Sequence, residues 1–217
     1  MPLKDSTKRI RAVFFDYDGV LTTDKTGSLT TCRYLSERTG IDVATLSDAL
    51  RPYNEDLTLG RVSHADVWPD VCKALGQSIS MDLLAPAFGS TPVDEPMFSL
   101  ARALKQFCRV GIITDNKKDR IDYLRQAQQL DSLFDPIVVS AEFGATKQGP
   151  VLFEAALARA GVEAGEAVFI DNSPANLIAP RALGFHTFHF DDATRDVAAL
   201  RFYLQEHHGL PAGPRSA

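Results

Sequence analysis

Only three cysteines occur in the 217 residues, Cys32, Cys72 and Cys108, spaced 40 and 36 positions apart. So sparse and odd-numbered a set excludes a disulfide framework and a CxxC metal site, and the three read as buried thiols in a reducing compartment. No run approaches the roughly 18 uncharged apolar residues that a membrane helix needs. Met1 to Arg11 is charged with no apolar signal-peptide core behind it, so a cytoplasmic protein is expected. Positive charge is scarce as well. The 23 Lys and Arg against 28 Asp and Glu leave a net charge of −5, which offers no broad cationic surface to nucleic acid or to an anionic membrane. No His or Cys spacing resembles a zinc site, and there is no GxGxxG, no Walker loop and no Gly-x-Ser-x-Gly elbow.

What is present is the balance of a globular chain of one or two domains, 45% hydrophobic and 24% charged. Short apolar segments recur: Ala12 to Phe15, Arg109 to Thr114, Pro136 to Ser140, Ala167 to Asp171 and Phe185 to Phe190. Helical patterns fall between and after them, near Asp119 to Leu130, Pro150 to Ala160, Pro174 to Leu183 and Ala193 to His207. Continuously apolar strands alternating with helices predict an α/β fold, a three-layer Rossmann-like parallel sheet buried on both faces.

Residues 24–95 break this rhythm with helix starts and stops but no strand, and are expected to form an inserted helical unit between two parts of the α/β core, 1–23 and 96–208. Ser63 with Asp66 three positions on reads as a helix start, and Gly40 and Gly76 as helix ends. Pro52, Pro69 and Pro180 are expected to break or kink their helices. The insert holds 6 basic and 11 acidic side chains and so carries all of the net negative charge, which favours a small substrate over a polyanion. The Gly- and Pro-rich tail, 209–217, is expected to be disordered.

In a parallel α/β sheet the site forms beyond the carboxyl ends of the strands. The polar residues there are Asp16 and Asp18, Thr114 to Asn116, Lys147, and Asp171 with Asn172. Carboxylates with a hydroxyl and a lysine can bind Mg²⁺ through oxygen and keep a cation for phosphate. Asp16 is a candidate nucleophile and metal ligand. Asp18, two positions on, is a candidate to protonate a leaving alkoxide and then activate water, with Gly19 allowing the sharp turn. An Asp-x-Asp-Gly can equally cap a strand end or belong to a calcium loop, a lone Thr114 can be a helix cap, and a lone Lys147 is an ordinary surface lysine. The position of each after a strand favours chemistry. Asp171, at the end of a buried strand, needs a partner, and a metal is the simplest.

Phe14-Phe-Asp-Tyr-Asp-Gly-Val-Leu-Thr22 resembles the first motif of the haloacid dehalogenase superfamily. Ile113-Thr-Asp-Asn116 is similar to the second, whose hydroxyl binds phosphate, with Asp115 beside Thr114. Lys147 before Pro150 is similar to the third, whose lysine neutralises nucleophile and phosphoryl oxygens, and Val168-Phe-Ile-Asp-Asn-Ser173 to the fourth, whose first acidic residue ligates Mg²⁺. The resemblance spans residues 11–205 and implies that 24–95 is a C1-type cap. It implies a Mg²⁺-dependent phosphatase acting on a small phosphorylated metabolite, a sugar phosphate by preference, with Asp16, Asp171 and the Asp18 carbonyl on the metal. Asn172 departs from the pattern, since many capped members carry a second acid there; an amide can orient a metal-bound water but adds no charge. Asn176 is a candidate to steady that loop.

Alternatives are a sugar phosphomutase, or a non-catalytic binding protein that Asn172 alone supports. A dehalogenase is disfavoured, because the superfamily's 2-haloacid dehalogenases carry tyrosine where this chain has Asp18. In the insert, Lys25, Arg33, Arg51, Tyr53, Arg61, His64 and Trp68 are candidates for substrate contact, though each singly reads as surface or core, and the Tyr17 side chain as packing.

Overall fold

The computed structural model describes residues 9–211, so the reading of Met1 to Arg11 lies almost wholly outside the described residues. Strand β1 (Ala12–Phe15) enters the insert, which holds helices α1 (Gly27–Thr39), α2 (Val43–Leu50), α3 (Asn54–Thr58), α4 (His64–Leu75) and α5 (Leu84–Gly89). Then follow α6 (Glu95–Leu104), β2 (Arg109–Thr114), α7 (Lys118–Ala127), α8 (Leu130–Leu133), β3 (Ile137–Val139), α9 (Ser140–Phe143) and α10 (Val151–Ala160). The chain closes with β4 (Ala167–Asp171), α11 (Ile178–Leu183), β5 (His186–His189) and α12 (Val197–His208).

The five strands pair in parallel in the order β3-β2-β1-β4-β5. Every residue of β1 is buried, yet its side chains still divide by the strand period of two. Val13 and Phe15 pack with α6, α7 and α12 through Met97, Ile121 and Leu200, while Ala12 and Phe14 pack with α10 through Phe153 and Ala156. Two-sided burial explains why the strands read as continuous apolar runs. Because Phe15 is level with Ile112 on one side and Ile170 on the other, Asp16 and Asp171 emerge side by side at the sheet's carboxyl edge. The strand order reverses between β1 and β4, where a parallel sheet opens a crevice.

The insert buries its own cluster, including Leu35, Leu46, Trp68, Val71 and Phe88. Trp68 is core, its indole N–H donating to the Ile79 carbonyl at 2.7 Å. The Ser63 capping box is present, and Gly40 and Gly76 end their helices in the left-handed region. The insert's two ends meet in a single antiparallel bridge between Thr22 and Val93. Tyr123 of α7 packs against both the insert's cluster and the sheet's, which makes α7 the shared wall.

Several expectations need correction. Pro69 does not interrupt α4: Val67, Trp68 and Val71, all buried, hold the helix across the one hydrogen bond the ring removes. Pro52 does sit in a tight turn between α2 and α3, and the segment containing Pro180 does divide, into a tight turn and α11. The helix expected to Leu130 is cut at Gln129, in the left-handed region at φ 51°. That expected from Ala193 starts at Val197, with Asp196 as its cap. The tail is ordered at its start, since Gly209 terminates α12 and Leu210 is buried in the sheet's core; beyond Pro211 it lies outside the described residues. All three thiols are free, but only Cys32 is fully buried. Among the described residues no helix is long and apolar enough to cross a membrane.

Gly111 is required by a close approach: a Cβ there would come within 2.6 Å of the Pro136 carbonyl and 2.8 Å of the Phe14 ring. Gly111→Ala is expected to cost about 1–3 kcal/mol, the scale of overpacking a core, seen as a lower midpoint in urea denaturation. An unchanged midpoint would mean that β2 and β3 separate easily.

Candidate active site

Beyond β1 the chain makes a wide helical turn, Tyr17–Leu21, within which Asp18 is extended and Gly19 takes φ +80°. That conformation suits glycine, and a Cβ would also meet the Asn172 amide at 2.3 Å. Arg195, from the turn before α12, clamps this segment by donating to the Gly19 and Val20 carbonyls at 3.0 Å each and to Asp94 at 2.6 Å. The Tyr17 side chain is buried, its hydroxyl on Gln128.

At the centre the Lys147 ammonium, on the loop before α10, lies 2.7 Å from Asp16 Oδ2 and 2.7 Å from Asp171 Oδ2. All three residues are buried. Asp16 Oδ1 accepts the Tyr17 N–H at 2.7 Å. Asp171 Oδ1 accepts the Ser173 N–H at 2.7 Å, and Asn176 Nδ2 donates to both Asp171 oxygens at 3.1 and 3.2 Å. Asp115 turns its carboxylate to the Lys147 main-chain N–H at 3.0 Å and thereby positions the lysine. Burial raises the Asp16 and Asp115 carboxyls, with Lys147 opposing. Burial would lower the Lys147 ammonium, but Asp16, Asp171 and Asp115 outweigh it and hold the group above its ordinary value. Thr114 ends β2 with a buried hydroxyl that has no hydrogen-bond partner, an orphaned group of the kind a ligand oxygen satisfies.

Asp18 stands apart from this centre. Arg120 on α7 grips it with both guanidinium arms, at 2.9 Å to each carboxylate oxygen, and Asn116 Nδ2 adds a bond of 3.1 Å. The same guanidinium donates to Asn116 Oδ1 at 2.9 Å and Thr91 Oγ1 at 3.1 Å, and Gly27 is packed so closely that a Cβ would lie 2.1 Å from it. Gly27 and Thr91 lie at the two ends of the insert. Asn116 was among the polar strand-end residues that the sequence singled out, but Arg120 escaped that reading because Lys117-Lys118-Asp119-Arg120 resembles any solvated first turn.

The site opens onto a cavity of about 370 Å³ between sheet and insert, with Thr114 and Asp171 buried behind its lining. Asp16, Asp18, Asp115, Lys147, Asn172 and Asn176 face it; of the insert candidates only Lys25 does. No Leu, Ile, Val, Met or aromatic side chain lines it. His64 instead bonds Asp119 of α7 through Nδ1 at 2.7 Å. Lys117, also missed, lines the cavity, and burial, helped by the Arg120 charge, pushes its amine down to about 8. Asn172 donates to Asp192 at 2.9 Å, which brings a carboxylate next to the amide. Among the described residues no three acidic, His or Cys side chains are arranged to hold a metal ion by themselves. A hard cation would therefore rest on Asp16 and Asp171 and take further oxygens from the main chain, an amide and water, a donor set that fits Mg²⁺.

Residues 10–184 match the model of the haloacid dehalogenase-like hydrolase family, and the chain belongs to that family. The chain is 29% identical, over 160 residues, to the sesquiterpene phosphatase astK of Aspergillus oryzae, covering 66% of this chain and 82% of that protein. In fold it is similar to a HAD-like family hydrolase from Porphyromonas gingivalis, with a TM-score of 0.72 and 24% identity over 92% of this chain and 100% of the other. It is also similar to a HAD family enzyme from Bacteroides thetaiotaomicron in complex with magnesium and inorganic phosphate, with a TM-score of 0.64 and 17% identity over 83% and 93% of the two chains.

Arg120→Met would strand Asp18 and is expected to destabilise the protein by about 3 kcal/mol, as breaking a buried pair does. Adding Asp18→Asn should restore part of this, with a coupling of about 1 kcal/mol or more in a double-mutant cycle read by urea denaturation. Simple additivity would show that the pair contributes nothing.

Proposed function

We propose that this haloacid dehalogenase-like hydrolase is a Mg²⁺-dependent phosphatase that cleaves a small, hydroxylated phosphomonoester through a phosphoaspartyl intermediate on Asp16. The observation that carries the reading is the single ammonium of Lys147 held between Asp16 and Asp171. It neutralises the nucleophile's neighbourhood and leaves a cation for phosphoryl oxygens. Asp16 attacks phosphorus in line as the phosphorus–oxygen bond to the leaving group breaks, and the Thr114 hydroxyl and Lys147 hold the non-transferring oxygens. Mg²⁺, held by Asp16, Asp171 and the Asp18 carbonyl with Asn172 alongside, would offset the phosphoryl charge. Asp18 protonates the leaving alkoxide and then takes a proton from the water that hydrolyses the phosphoaspartate.

Asp18 can do this only after Arg120 lets go of at least one of its oxygens. Because Arg120 is wedged against Gly27 and bonded to Thr91, a shift of the insert is the natural trigger, and residues 24–95 are proposed to act as a cap over a core of 1–23 and 96–208. A lining without large hydrophobic or aromatic side chains favours a hydroxylated leaving group such as a sugar over the terpenyl chain implied by the fungal relative's name. Free thiols throughout fit a cytoplasmic setting.

The test is phosphate release from p-nitrophenyl phosphate. Turnover is expected to require Mg²⁺ and to stop on chelation. Asp16→Asn should lower kcat by about 10⁴-fold or more and Thr114→Ala by about 10²-fold, the scale of losing one oxyanion donor. Activity that survives in Asp16→Asn would remove the phosphoaspartyl mechanism.

A further inference from the structure

Four cations line the cavity, and three are matched by carboxylates. Lys147 has Asp16 and Asp171, Arg120 has Asp18, and Lys25 has Asp192 at 3.6 Å. Lys117 has no carboxylate within ion-pair distance among the described residues; its ammonium donates only to the neutral Ser28 hydroxyl at 3.0 Å. The nearby acids are committed elsewhere, Asp18 to Arg120 and Asn116, and Asp119 to His64 at 2.7 Å. Lys117 also occupies the N-cap of α7, the positive end of a ten-residue helix, where a cation is electrostatically misplaced unless an anion joins it. A second, independent donor without an acceptor is the buried Arg120 Nε–H, on a residue that lines the same cavity. Both groups offer N–H bonds to an anion that the protein itself does not supply.

We propose that Lys117 and the Arg120 Nε–H form a second anion subsite, so that the leaving group of the substrate carries an anionic group of its own, a carboxylate or a second phosphoryl. This rests on the phosphatase reading and narrows it, from hydroxylated phosphomonoesters in general to phosphorylated hydroxy or sugar acids and sugar bisphosphates. Apart from Lys25 the insert's share of the lining is neutral, and its Thr26, Ser28, Asn54 and Thr58 can hydrogen-bond, which suits the hydroxylated stretch between two anions. The acidic insert repels long polyanions, while an unmatched internal cation attracts a small one.

Non-hydrolysable phosphonates separate the two ideas. Calorimetry with Mg²⁺ would compare 2-hydroxyethylphosphonate, whose far end is neutral, with 3-phosphonopropionate, ending in carboxylate, and methylenediphosphonate, ending in a second phosphonate. The wild type is expected to bind at least one of the two doubly anionic compounds tenfold or more tightly than the neutral-ended one, and which one identifies the anion. In Lys117→Met that preference should fall below threefold, while Lys117→Arg, which keeps the charge, should retain most of it. No preference in the wild type, or one that survives in Lys117→Met, overturns the proposal. An equal loss for all three compounds in Lys117→Met does so too, because Lys117 would then hold the transferring phosphoryl group. Absence of binding by any phosphonate, together with no p-nitrophenyl phosphate hydrolysis, would instead remove the phosphatase reading beneath it.

Discussion

One buried ammonium organises the site. Lys147 is the cation within reach of both Asp16 and Asp171, and without it two carboxylates would face each other at the carboxyl end of a buried sheet, where unpaired charge is costly. Its position is itself fixed by a carboxylate, because Asp115 accepts the lysine's main-chain N–H. Each of the three strand ends at the centre of the sheet thus contributes an acid to one lysine: β1 through Asp16, β2 through Asp115 and β4 through Asp171. The parallel register that levels Phe15 with Ile112 and Ile170 is what lets them converge.

A second charge cluster lies beside the first and has a different character. Asp18, Asn116, Arg120 and Thr91 form a closed set of hydrogen bonds that joins the turn after β1, the start of α7 and the returning end of the insert. The first cluster is built within the sheet, whereas the second spans the boundary between sheet and insert. Asp18, the group proposed to move protons, sits in the second, at the boundary with the insert, and Asp16, the proposed nucleophile, sits in the first, away from it.

The sheet and its polar strand ends were legible in the sequence because buried parallel strands are short, apolar and abruptly ended, and Asp16, Thr114 and Asp171 each stand at the end of such a run, while Lys147 comes after β3 and α9, on the loop before α10. The helical insert was legible as an absence of strands. Less visible was anything that depends on how helices pack. Arg120, Lys117 and Arg195 are charged residues near helix starts, indistinguishable in one dimension from solvated ones, and only the meeting of α7, the insert and the turn before α12 gives them partners. Asn172 looked like a lost charge, but its amide lies against Asp192, 20 residues on, a pairing that no local pattern announces. Pro69 misled because its cost was weighed against the backbone alone, without the buried neighbours that hold α4 together.

Tyr123 belongs to two hydrophobic clusters at once, packed against Phe88 in the insert and against the core of the sheet. A side chain shared in this way ties the folding of the two units together: melting the insert uncovers part of the wall on which the sheet's own helices rest. The insert is therefore not an autonomous module that could be exchanged at its two ends alone. Any replacement would have to present to α7 an aromatic surface like that of Phe88, so the inheritable unit is the insert together with the face of α7 that receives it.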